Sequence, residues 1–128
     1  MHKTFLIAGA LFAGLAVVLG AFGAHGLKKL VGPDTINTFQ TGVQYQMYHA
    51  FALLVLAIVY QQFTSNMMHY AGWFFIGGIL LFSGSLYALV ILKAKDITGL
   101  TAIGIITPIG GLLFITGWVL FVWGVLKK

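Results

Sequence analysis

Four stretches of this chain are apolar for about twenty residues each, and the polar positions gather between them or along one edge of them. Such runs match the ~30 Å hydrocarbon layer of a bilayer at about 1.5 Å rise per helical residue. Each run also carries small residues seven positions apart: Gly9, Ala16 and Gly23; Ala50 and Ala57; Gly77 and Gly84; Gly110, Gly117 and Gly124. That spacing keeps the small residues near one helix face, drifting by about 20° per repeat, and favours close left-handed crossings. The expected fold is an all-α membrane protein, a left-handed up-and-down four-transmembrane-helix bundle forming a single domain over 1–128.

The expected spans are 3–24, 45–62 within a helix starting near 34, 70–92 and 98–126. A basic start before an apolar run ending in Ala21-Phe22-Gly23-Ala24 resembles a secretory leader. The run exceeds the usual h-region of about 7 to 15 residues, so it is expected to stay as a helix, with the chain starting near Met1. Gly32-Pro33-Asp34 restarts the chain: the proline disfavours helix in the residue before it, and Asp34 can cap the next turn. Thr35 to Gln44 mixes apolar and amide side chains and suits the headgroup region. A polar link over Gln61 to His69 leads to a third span opening on Tyr70 and Trp73, and Lys93-Ala94-Lys95-Asp96 makes the last turn. Pro108 interrupts the fourth span, predicting a kink over 103–107 with Thr107 able to satisfy the freed backbone. Four spans put both termini on one side.

Composition removes most soluble readings. The chain is 60% hydrophobic and 7% charged with a mean hydropathy of +1.02, whereas soluble domains are about 25% charged. Without cysteine there is no disulfide, thiolate nucleophile or thiolate metal site. The net charge of +5 comes from Lys3, Lys28, Lys29, Lys93, Lys95, Lys127 and Lys128 against Asp34 and Asp96, and every charge flanks a span. Lysines there snorkel to anionic headgroups, so membrane lipids are the expected partners and nucleic acid is not. The positive-inside rule is nearly balanced, with a lean to cytoplasmic first and third connections.

Polar side chains inside a span are costly and usually face the bundle interior. Here they fall at one end: His25 closes the first span, Gln44, Tyr48 and His49 open the second, Ser83, Ser85 and Tyr87 close the third, and Thr98, Thr101 and Thr107 open the fourth. Up-and-down connectivity places them in one leaflet, leaving the other almost wholly apolar. As a metal site the cluster offers His25 and His49 without a further ligand. As a hydrolase it offers Ser83 or Ser85 with His49 but no intramembrane carboxylate. As a proton or solute path it has histidines, tyrosines and a proline-interrupted helix but no inverted repeat, so transport requires an oligomer. The remaining readings are side chains that bond to one another and to the backbone, or a shallow pocket for a lipid headgroup, a quinone-like molecule or a partner helix. Gly84, between the two serines, is expected to admit a close neighbour.

The strings GAFGAHGLKK over Gly20 to Lys29, FQTGVQYQMYHA over Phe39 to Ala50, LFSGSLYAL over Leu81 to Leu89 and TPIGGLLFITGW over Thr107 to Trp118 touch all four spans. In them the chain resembles the domain of unknown function 423 family, small YgdD-like four-span proteins of bacterial inner membranes with relatives in animal mitochondria. The resemblance implies a four-span membrane protein without an established reaction. It maps onto His25, Gln44, Tyr48, His49, Ser83, Ser85, Tyr87, Thr107 and Pro108, with Gly42 where alanine is expected. The sequence reads as a non-enzymatic inner-membrane bundle, without cofactor or metal, binding a lipid-like molecule or a partner membrane protein at His25, Gln44, Tyr48, His49, Ser83, Ser85, Tyr87 and Thr107. The alternative is an oligomeric small-solute or proton transporter or channel, and the partner is a second copy or another membrane protein.

Overall fold

The computed structural model describes residues 1–97, 99 and 101–127. Among these the chain is helical without strands: α1 (Lys3–Ala24), a 3-10 turn (Leu27–Lys29), α2 (Pro33–Val59), α3 (Asn66–Gly78), a π-helical turn (Ile79–Ser83), α4 (Gly84–Ala94) and α5 (Thr101–Leu126). The segment from α3 through the π turn to α4 is one continuous span, so four helices are long and apolar enough to cross a membrane.

Local chemistry sets the helix ends. His2 accepts from the Phe5 N–H and caps α1, while its own N–H reaches the Ala57 carbonyl at 2.9 Å, tying the chain start to the end of α2. Pro33, not Asp34, opens α2, because proline's fixed φ and missing N–H suit the first helical position; Asp34 lies in that first turn without a side-chain cap bond. The helix ends at Val59, short of Gln62, and Ser65 accepts from the Met68 N–H to start α3 at Asn66, before Tyr70. Thr98, the expected start of the fourth span, lies outside the described residues.

The small residues determine which helices touch. On α5, Gly110 faces the backbone of Phe82, Gly117 the ring of Phe75 and Gly124 the side chain of Met68, a seven-residue step on both helices. Gly9 faces Ala50 and Leu54, and Gly23 faces Phe39 and Gln40, so α1 and α2 run antiparallel. The Gly77 and Gly84 seam is different. Gly78 receives the Phe114 ring, Gly77 meets only Leu113 at 3.3 Å from a notional Cβ, and Gly84 has nothing within 4 Å. The π turn lies between Gly77 and Gly84; its extra residue rotates the following helix and breaks the seven-residue pattern. Gly84 therefore faces open space and admits no neighbour.

α2 is the central helix, with α1 on one side and the α3–α4 span on the other; α5 packs on α3, the π turn and α4. The main apolar core joins Phe5, Leu53, Leu56, Met68, Phe75 and Phe114, and a second around Ala16, Leu27, Phe39 and Val90 sits at the end where α1 meets its 3-10 turn.

Candidate functional site

The polar residues of the spans divide into an inner and an outer set. Three inner bonds meet on α2. Tyr87 of α4 donates its hydroxyl to Gln46 Oε1 at 2.7 Å, and Gln46 Nε2 donates to the Phe12 carbonyl of α1 at 2.8 Å. Ser83 of the π turn donates to the Gly42 carbonyl at 2.6 Å. A Cβ at Gly42 would lie 2.9 Å from Cε1 of Tyr87, so glycine at this position makes room for the tyrosine ring.

Two further contacts bring in α5. Ser85 Oγ donates to the Phe82 carbonyl at 2.9 Å, so the short Ser85–Thr107 contact has the Thr107 hydroxyl as donor. Thr107 thus serves its neighbour helix, not the carbonyl of Gly104 that Pro108 leaves without its usual partner. Trp118 donates its indole N–H to His49 Nε2 at 3.0 Å. Indole is a donor only, so Nε2 accepts and His49 Nδ1 carries the proton that reaches the Tyr45 carbonyl at 2.8 Å. The His49 ring also stacks on Phe114, centroids 3.6 Å apart.

These bonds link α1 to α2, α2 to α4, α4 to α5 and α5 to α2. Gln46, His49, Ser83 and Ser85 are buried, and among the described residues no buried side-chain nitrogen or oxygen lacks a partner. The chemistry this leaves is limited. Both nitrogens of His49 are occupied, so neither is free for a metal or a serine, and Ser83 and Ser85 are turned to backbone carbonyls.

The outer set is His25, Gln44 and Tyr48, all exposed. His25 bonds to the Ala21 carbonyl of its own helix end at 3.0 Å. Gln44 and Tyr48 stand one turn apart on the outside of α2 and take no part in the helix-to-helix bonds. The structure therefore places Ser83, Tyr87, the Ser85–Thr107 pair and His49 in separate bonds that together cross-link the helices, and leaves His25, Gln44 and Tyr48 outside them.

Depth also differs from the one-leaflet expectation. Gln46 bonds to Phe12, close to the middle of α1. His49 lies almost a further turn along α2 and Trp118 lies beyond the midpoint of α5, so their bond falls in the half expected to be apolar. An indole counts as apolar in hydropathy, which hid this partner. Gln46 was missed as well. Its signal was position: with Gly42, Ala50, Leu53 and Ala57 it lies on the small-residue face of α2, one of two amides two residues apart.

A bundle of four apolar helices, cross-linked by buried hydrogen bonds, is a multi-pass integral membrane protein. The family described as protein of unknown function (DUF423) matches residues 19–111, and the chain belongs to it. It is 44% identical over 120 residues, covering 94% of this chain and 93% of the relative, to a UPF0382 membrane protein of Staphylococcus aureus (strain bovine RF122 / ET3-1). Over 126 residues it is 44% identical to the UPF0382 membrane protein YwdK of Bacillus subtilis (strain 168), covering 98% of both chains. No solved structure matches it.

Proposed function

We propose that this protein is a non-enzymatic membrane bundle whose outer α2 face binds a membrane-spanning helix of a partner chain. The observation that supports it is the exposure of Gln44 and Tyr48 at span depth: they flank Gln46, whose bond to Phe12 marks the middle of α1, and Tyr48 is 57% exposed. An amide and a phenol turned to hydrocarbon are costly, and a partner helix carrying a donor or acceptor relieves that cost. Next to them Tyr48, Phe51, Val55, Trp118 and Phe121 line an apolar groove of about 320 Å³ that a partner side chain fills. Trp118 is a wall of the groove and also holds His49, so the binding face is braced by the inner network.

The bundle belongs in a bacterial cell membrane, both termini on one side, with Lys28, Lys29, Lys93 and Lys95 favouring cytoplasmic first and third connections. A photo-reactive benzophenone amino acid in place of Phe51 tests the binding face. Irradiation in native membranes is expected to yield a polypeptide adduct that Gln44→Leu with Tyr48→Phe removes. Adducts to lipid alone, or a polypeptide adduct indifferent to both substitutions, would contradict the reading.

A further inference from the structure

At the end carrying the first and third connections, α1 and α4 each lean on α2 and leave a cleft between them. Gly20 approaches Val43 and Gly23 approaches Phe39 on one flank, while Tyr87 and Leu86 approach Gly42 on the other. The cleft has a volume of about 450 Å³. Its floor is the buried pair Phe39 and Val90, and its walls are Leu19 and Phe22 from α1 and Ile91 and Ala94 from α4. Leu27 and Leu30, on either side of Lys28 and Lys29, close its end, and Lys95 stands at the mouth.

The charge around that mouth has one sign in excess. Lys95 lines the mouth itself, Lys28 and Lys29 are exposed on the 3-10 turn between the lining residues Leu27 and Leu30, and Lys93 is exposed near the end of α4; against them stand Asp34 and Asp96, and among the described residues no carboxylate lines the cleft. An apolar slot running into the bilayer and ending under lysines is complementary to a molecule with a hydrocarbon tail and an anionic head. Basic pockets between membrane helices hold anionic headgroups in this way. The volume lies within the range of small-molecule sites, about 300 to 1,000 Å³.

We propose that the cleft between α1 and α4 binds one anionic glycerophospholipid, with an acyl chain over Phe39 and Val90 and its phosphate held by Lys28 and Lys95. This site is on a different face from Gln44 and Tyr48 and does not depend on the partner-helix reading. The lipid bridges α1 and α4, which both lean on α2, and its headgroup ties the 3-10 turn to the end of α4.

Native mass spectrometry of the detergent-released protein, titrated with phosphatidylglycerol and with phosphatidylcholine of matched chains, tests the proposal. One phosphatidylglycerol is expected to be retained in preference to phosphatidylcholine. Lys28→Gln with Lys95→Gln should lower phosphatidylglycerol affinity about tenfold or more, near fivefold per lysine, and erase the preference. Ala94→Trp, which fills the cleft without touching a charge, should reduce both lipids. Lys3→Gln with Lys127→Gln, at the other end, should change neither. Thermal midpoints of all variants show that each is folded. Equal retention of the two lipids by the unmodified protein, or a preference that survives both the double lysine change and Ala94→Trp, would overturn the site.

Discussion

The indole N–H of Trp118 reaches Nε2 of His49 across the interface of α5 and α2, at 3.0 Å. It ties the last span to the central one and fixes the histidine tautomer, because the other ring nitrogen must then donate to Tyr45. Trp118→Phe keeps an aromatic ring, smaller than the indole, and removes the donor. Hydrogen bonds between membrane helices contribute about 0.6 kcal/mol on average and up to about 1.7. The expected loss of unfolding free energy is within that range, and a double-mutant cycle with His49→Phe should return a coupling of similar size. Additive single effects would show that the contact carries no energy.

The glycines of α5 should respond in opposite directions. A Cβ on Gly110 would overlap the backbone nitrogen of Phe82, which cannot move as a side chain can. Gly110→Ala is expected to cost about 1 to 3 kcal/mol through overpacking. Gly104 has nothing within 4 Å, so Gly104→Ala is expected to be neutral or stabilising by up to about 1 kcal/mol from helix propensity. Unfolding in mixed micelles ranks the two.

The start of α1 should weaken in acid. Burial, with the His69 ring centroid 5.9 Å away, holds the His2 imidazole below its ordinary value of 6.5. His2 Nδ1 accepts the Phe5 N–H, so the neutral ring is the capping form. The folded value being the lower one, the cap's contribution is complete above pH 6.5 and is lost as pH falls through the folded value. Thermal midpoints between pH 8 and 5 should fall on the acid side, and His2→Asn, which caps without titrating, should make that fall shallower. An unchanged acid limb in His2→Asn would remove His2 from the cause.

The four spans were legible because a twenty-residue apolar run has few other homes. The glycine seam of α5 was legible too, but not its partners: Phe82, Phe75 and Met68 share the seven-residue step, and only the tertiary pairing shows which run faces which. The seam at Gly77 and Gly84 misled because a π turn leaves no mark in hydrophobic periodicity. The polar cluster was found as residue types and blurred as geometry. Gln44 and Gln46 are about 200° apart around a helix, and the choice of buried amide depends on which face α1 covers. Tyr87 is legible as a polar group at the end of the third span, but its bond to Gln46 depends on the space that Gly42 leaves for its ring.

The same two amides separate the scaffold from the proposed binding face. Gln46→Leu removes two helix-to-helix bonds and leaves the half-buried Tyr87 hydroxyl without its acceptor, for an expected loss of about 1 to 3 kcal/mol. Gln44→Leu replaces an exposed amide that takes part in no helix-to-helix bond and should leave the unfolding free energy unchanged or raised.

In the proposed arrangement the inner polar residues hold the helices together while the outer pair recognises a partner. Photo-crosslinking from the position of Phe51, compared at equal amounts of folded chain, separates these two roles. The polypeptide adduct should disappear in Gln44→Leu and persist in Gln46→Leu; loss in Gln46→Leu with retention in Gln44→Leu, or the same yield in both, would contradict it.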